Sequence, residues 1–146
     1  NTVRISASSL EYPSGPDIFS GCQYLKLVLM TPGDFGSWAP SWILPDGATR
    51  ELSWVCIPGT SYEVRLRSAM LAGWVGVSGW DYLSNKPKAM RKTVRAGSVY
   101  VIEVRDPGQA QKIAAHFWGS AFDPDPLRTA DGYGQVIVAR MADTKN

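Results

Sequence analysis

Apolar positions along this chain recur mostly with the period of two that marks strands, and only one stretch carries the period of a helix. Residues 24–31 (YLKLVLMT) are a run of aliphatics closed by Pro32-Gly33, the pattern of a buried strand ending in a turn. Residues 62–68 (YEVRLRS) alternate apolar and polar, as a strand with one wet face does. That run continues through 69–79, where Gly73, Gly76 and Gly79 mark bends or close backbone approach, and it ends at Trp80-Asp81. Residues 97–104 (GSVYVIEV) form the strongest strand pattern, opened by Gly97 and stopped by Asp106-Pro107-Gly108. Residues 109–118 are good helix formers, with Ile113, His116 and Phe117 at i, i+3 and i+4, which predicts one apolar face. The stretch 122–126 (FDPDP) breaks that helix, and Asp131-Gly132-Tyr133-Gly134 turns the chain into a last strand at 135–140.

Between the first two strands, residues 34–59 make a long excursion with Trp38, Trp42 and Trp54 set among Pro40, Pro45 and Pro58, and with a turn signal at Asp46-Gly47. The order is strand, excursion, strand, strand, helix, glycine-containing loop, strand. This is most of a β-α-β-β-α-β order, so the expected class is α+β and ferredoxin-like (RRM-like), with the Trp/Pro-rich insertion in place of or around the first helix. The 146 residues, 45% of them hydrophobic, suit one domain with a sizeable core. That domain is expected over 24–146, with 1–23 as an N-terminal segment and a candidate tail of a missing first half. The chain opens on Asn1 with no initiator Met or signal segment, which reads as a piece of something longer.

Charge changes this picture more than composition does. Fifteen basic residues against 13 acidic ones leave a formal +2. Five of those bases, Lys86, Lys88, Arg91, Lys92 and Arg95, fall in one stretch, and no acid stands between Asp81 and Glu103. The stretch therefore carries +5 and the remainder, with 10 basic and 13 acidic groups, carries −3. Two strands flanking a basic connection suggest a β-hairpin. Such a connection can direct a polyanion to one place, or it can be a solvated hairpin tip whose Lys and Arg discourage edge pairing.

Candidates for chemistry are few. No apolar run approaches the ~20 residues of a membrane span, so no membrane partner is expected. Cys22 and Cys56 are read as two ordinary, partly buried thiols rather than a disulfide. Nothing like Cys-x-x-Cys exists and His116 is the only histidine, so neither a metal site nor a cofactor is expected. His116 is read as a partly buried histidine on the apolar helix face. Asp123 and Asp125 alternate with Pro124 and Pro126 and are read as part of an exposed extended loop. The Asp131 to Gly134 turn has a double reading. Its glycines permit positive φ and close approach to a phosphate while Tyr133 stacks on a base, or it is a tight turn with no ligand.

Five stretches in order, 25–32 (LKLVLMTP), 77–81 (VSGWD), 86–92 (KPKAMRK), 96–100 (AGSVY) and 131–134 (DGYG), resemble the carboxy-terminal part of the third RAMP subunit of the type III-B CRISPR effector, the Cmr complex. Members of that family hold two ferredoxin-like halves, and this chain resembles the second. The resemblance implies a cytoplasmic, non-catalytic RNA-binding subunit of antiviral defence that helps hold the 5′ handle of the CRISPR RNA. It implies as partners the CRISPR RNA, the Cas10-type large subunit and the backbone RAMP subunit. The residues it marks for RNA are Lys86, Lys88, Arg91, Lys92, Gly132, Tyr133 and Gly134, to which the basic stretch adds Arg95. Two other classes stay open. A metal-independent endoribonuclease would use His116 or Tyr133, and a secreted carbohydrate-binding domain would use aromatic rings, although Trp54, Trp74 and Trp80 are read as core.

Overall fold

The computed structural model describes residues 17–44, 52–129 and 131–141. In chain order the strands up to the basic stretch are β1 (Tyr24–Leu29), β2 (Val55–Cys56), β3 (Glu63–Met70), β4 (Trp74–Val77) and β5 (Trp80–Asp81). They are followed by β6 (Lys86–Pro87), β7 (Arg91–Val94), β8 (Val99–Val104), α1 (Ala110–Phe117), β9 (Ser120–Ala121), α2 (Pro126–Thr129) and β10 (Gln135–Arg140). Six strands form one antiparallel sheet in the order β2-β3-β8-β1-β10-β9. The class is α+β with β dominant.

The period of two puts one set of side chains on one face. Leu27 stands opposite Tyr100 on β8 and Val138 on β10, and Leu25 stands opposite Ile102, which in turn stands opposite Leu66 on β3. All six are buried. Ala110, Ile113, Ala114 and Phe117 of α1 cover this face, together with Phe35, Ala39 and Ile43 of the excursion. Each large aliphatic or aromatic side chain so buried contributes roughly 1.5–3 kcal/mol.

The Trp-rich excursion, expected in place of or around a first helix, supplies a covering layer of the sheet. Phe122 sits among the rings of Tyr100 (5.0 Å), Phe35 (5.8 Å), Trp42 (5.8 Å) and Phe117 (6.1 Å). Trp42 Nε1 donates to the Phe122 carbonyl at 3.0 Å, and the Tyr100 hydroxyl donates to the Trp38 carbonyl. Burial pushes the Tyr100 phenol well above its usual range, so it remains a neutral donor. Among the described residues no helix lies between β1 and β3. The Asp46-Gly47 turn lies outside the described residues.

The strands β3 and β8 run on beyond the sheet as a two-stranded arm in which β4 pairs with β7 and β5 with β6. The expected hairpin is therefore present, but its basic stretch is the returning strand and not the tip. The tip is 82–85, where Asn85 takes φ 52 and Asp81 accepts hydrogen bonds from Leu83 N (3.0 Å) and Ser84 Oγ (2.7 Å). Those two bonds, with help from Lys88, hold the Asp81 carboxyl below its usual range. Gly33 clamps the arm's base by exchanging 2.9 Å hydrogen bonds with Val94.

Several side-chain readings need correction. At about 100° per residue the buried arc of α1 comprises 110, 113, 114 and 117, and His116 falls outside it and is exposed. Trp74 and Trp80 are exposed because the arm has no second layer, while Trp54 is half-buried under the Arg65 guanidinium at 4.5 Å. Both cysteines are free as expected, but Cys56 is exposed. Asp123 is buried, with its carboxylate accepting from the Asp125 amide, although Pro124 and Pro126 on either side of Asp125 are exposed as expected. Part of the N-terminal segment packs on the sheet domain, since Phe19 lies in the core and its amide donates to Gln111 Oε1 at 3.0 Å. No helix among the described residues is long and apolar enough to cross a membrane.

Candidate functional site

Two regions far apart in the chain, the arm and the glycine-containing loop before β10, meet at one recess. Its lining is Val77, Ser78, Gly79, Lys88, Ala89 and Arg91 from the arm, and Asp131 and Tyr133 from the loop. Its volume of about 120 Å³ is below the ~300 Å³ at which small-molecule pockets begin. It has room for several waters or one phosphate-sized group, not for an enclosed cofactor.

Each side of the recess is held by hydrogen bonds that the sequence order hides. On the arm, Lys88 N donates to Gly79 O at 2.8 Å and Ser78 Oγ donates to Lys88 O at 2.8 Å. On the loop, Thr31 at the end of β1 does double duty. Its hydroxyl donates to Gly132 O (2.6 Å) and accepts from Gln135 N (2.9 Å). Gly134 N donates to Pro32 O at 2.7 Å, and Gly132 N donates to Thr129 O at 2.9 Å.

Both glycines have positive φ, but for different surroundings. Gly134 (φ +70) is buried, and a Cβ there would stand 3.3 Å from the Phe35 ring; Gly132 (φ +81) faces open space. Their amides are already spent on carbonyls, so what the loop offers a ligand is the half-buried Tyr133 side chain and the exposed Asp131 carboxylate.

Arg91 joins the two sides. Its guanidinium lies over the Tyr133 ring at 5.4 Å from the centroid and donates to Asp34 Oδ2 at 2.5 Å. Asp34 is buried and also faces Arg128, whose Nη1 bonds the Asp34 carbonyl at 3.2 Å and lies 3.7 Å from its carboxylate. Arg128 further approaches Asp125 Oδ2 (3.7 Å) and Asp123 Oδ2 (4.0 Å). Three carboxylates therefore converge on one guanidinium, which fixes α2 and the loop that follows it. Sequence reading missed Asp34 and Arg128. Their partners lie 57 and 94 residues away, and no local pattern marks them.

The remaining marked residues are spread along the arm. Lys92 lies over the Trp74 ring at 4.3 Å, Lys86 is opposite Asp81 in the β5–β6 pair, and Arg95 is exposed where the arm meets the sheet, its amide bonded to Gly73 O. Lys88, Arg91 and Tyr133 thus share one recess; Lys86, Lys92 and Arg95 do not line it, and neither does His116. Among the described residues no group of three or more His, Cys, Asp or Glu is arranged to hold a metal ion.

Residues 11–141 match the family described as CRISPR-associated protein (Cas_Cmr3). The chain belongs to that family. Membership makes it a subunit of the CRISPR Cmr complex and places it in CRISPR defence. Subunits of this Cas_Cmr3 type are generally non-catalytic. No curated protein and no solved structure matches the chain.

Proposed function

We propose that this Cas_Cmr3 chain is a non-catalytic RNA-binding and assembly subunit that helps hold the 5′ handle of the CRISPR RNA, with the arm and the Tyr133 loop as its RNA contact. The observation that carries this reading is the meeting of Lys88, Arg91 and Tyr133 at one recess, on an arm that also carries Lys86 and Lys92. Phosphates pair with the cations, and an unstacked base packs on the Tyr133 or Trp74 ring. The order β3-β8-β1-β10, with α1 between β8 and β10, supports a ferredoxin-like (RAMP) reading in which the Trp-rich excursion replaces the first helix. The same reading makes this domain the second half of a two-lobed subunit that works in the cytoplasm. Its protein partners would be the Cas10-type large subunit and the backbone RAMP subunit.

Titration of a handle RNA at several salt concentrations tests the contact. Four neutralised phosphates on a single strand give a slope of log K against log[salt] of about −3, and three give about −2 if Asp34 retains Arg91. Alanine at Lys86, Lys88, Arg91 and Lys92 together should flatten that slope toward zero. An unchanged slope removes the arm as the RNA contact.

A further inference from the structure

A carboxylate in an otherwise cationic recess is a cost if the ligand is only phosphate. Asp131 lines the same recess as Lys88, Arg91 and Tyr133, and among the described residues it makes no ion pair or hydrogen bond that would account for it. The three other carboxylates nearby, Asp34, Asp123 and Asp125, are engaged by Arg91 or Arg128. Asp131 is thus a carboxylate of the recess that no cation among the described residues engages. It repels every phosphate that Lys88 and Arg91 attract unless the ligand also brings a donor to it.

We infer that Asp131 accepts a hydrogen bond from a ribose 2′-hydroxyl, and that the recess is where this chain tells RNA from DNA. Size favours the sugar over the base as the donor. About 120 Å³ has room for one phosphate-sized group, and the ribose attached to that phosphate then lies at the mouth of the recess, beside the exposed Asp131. The two cations then hold the phosphate, and the adjoining 2′-hydroxyl reaches the carboxylate from the same nucleotide. Because every ribonucleotide carries this group, the discrimination is independent of sequence. A deoxynucleotide in the same place leaves Asp131 facing a phosphate with no donor, so the carboxylate acts as a selective penalty on DNA.

This deepens the RNA-binding reading and rests on it. The experiment measures fluorescence anisotropy of the full 146-residue chain with a short single-stranded RNA and with DNA of the same sequence, at one salt concentration. The proteins are wild type, Asp131→Ala, Asp131→Asn and a Lys88→Ala/Arg91→Ala double variant. Wild type should favour RNA by about tenfold, the scale of one hydrogen bond to a charged group. Asp131→Ala should weaken RNA and strengthen DNA, closing the gap. Asp131→Asn keeps an acceptor without the charge, so it should retain part of the RNA preference while DNA affinity rises.

If wild type shows no RNA preference, or if Asp131→Ala moves RNA and DNA affinity by the same factor, the carboxylate acts through bulk charge alone and the inference falls while the RNA reading stands. If the Lys88/Arg91 double variant binds RNA as wild type does, the recess is not an RNA contact and both fall. Asp131 is exposed, so its variants are not expected to unfold the chain, and unchanged circular dichroism verifies that.

Discussion

Leu66 on β3 is 1% exposed, and Trp74 on β4, eight residues further along the chain, is 39% exposed. Both belong to alternating strand sequence, and both strands are paired, β3 with a bulge between Leu66 and Ser68. The difference is a second layer. β3 lies in a sheet covered by α1 and the Trp-rich excursion, whereas β4 and β7 make a two-stranded ribbon whose contacts with the body are at its base, where Val94 joins the core, and at the recess, where Arg91 meets Tyr133. In the sheet, charge is neutralised where it is buried. Glu103 receives Arg65 Nε at 2.6 Å, Gln23 Nε2 at 3.2 Å and Arg67 Nε at 3.5 Å. On the arm, Lys86, Lys88 and Lys92 have no carboxylate within ion-pair distance among the described residues, which leaves them available to an anion. The sheet holds the fold and the arm holds the charge.

The largest effect should come from the sheet. Leu27→Ala removes a fully buried side chain at the centre of β1 and should cost roughly 3 kcal/mol in urea denaturation. A loss under about 1 kcal/mol would mean that the core does not carry the fold as described. Asp34 ties the two regions together, and Asp34→Ala leaves Arg91 and Arg128 without their shared partner. Because those guanidinium side chains are 45% and 36% exposed, the cost should be about 1–2 kcal/mol, below that of a fully buried pair. RNA affinity should shift with it, since Arg91 loses its tether over Tyr133.

Glu103→Gln should cost about 1–2 kcal/mol at neutral pH and much less in acid. The hydrogen bond from Arg65, opposed by burial and aided by Gln23 and the charges of Arg65 and Arg67, holds the Glu103 carboxyl below its ordinary value of 4.5. A depressed folded-state pKa contributes stability that is complete above the unfolded value and is lost as pH falls through the folded one. The gap in Tm between wild type and Glu103→Gln should therefore be full above pH 4.5 and close below it. A gap independent of pH would sink the ionic account. At the arm's tip, Leu83→Ser should change stability by less than about 0.5 kcal/mol, because Leu83 is fully exposed. A larger loss would show that the arm folds against something in this chain.

The main strands were legible because their patterns are local. β1, β8 and β10 follow from runs of aliphatics with clear turn signals, and the hairpin follows from two such runs on either side of a basic stretch. The helix at 110–117 was also legible, but its buried arc was not. The count of i, i+3 and i+4 placed His116 inside the arc because it could not say on which side of Ile113 the sheet would lie. The arm's tryptophans were misjudged for a related reason. A strand's own pattern does not reveal whether a second layer will cover it.

The site divides the same way. The basic stretch and the Asp131 to Gly134 turn were each visible as candidates, since charge and glycine carry local signals. Their meeting, and the roles of Asp34 and Arg128, were not, because those contacts span 57 and 94 residues. The sequence by itself determined which segments pair as strands, where the positive charge accumulates and which turns need glycine, because period, charge and φ are properties of short stretches of chain. Only the tertiary structure decided which cations stay free and which carboxylate stands among them, because burial and ion pairing depend on what other segments bring within a few ångströms.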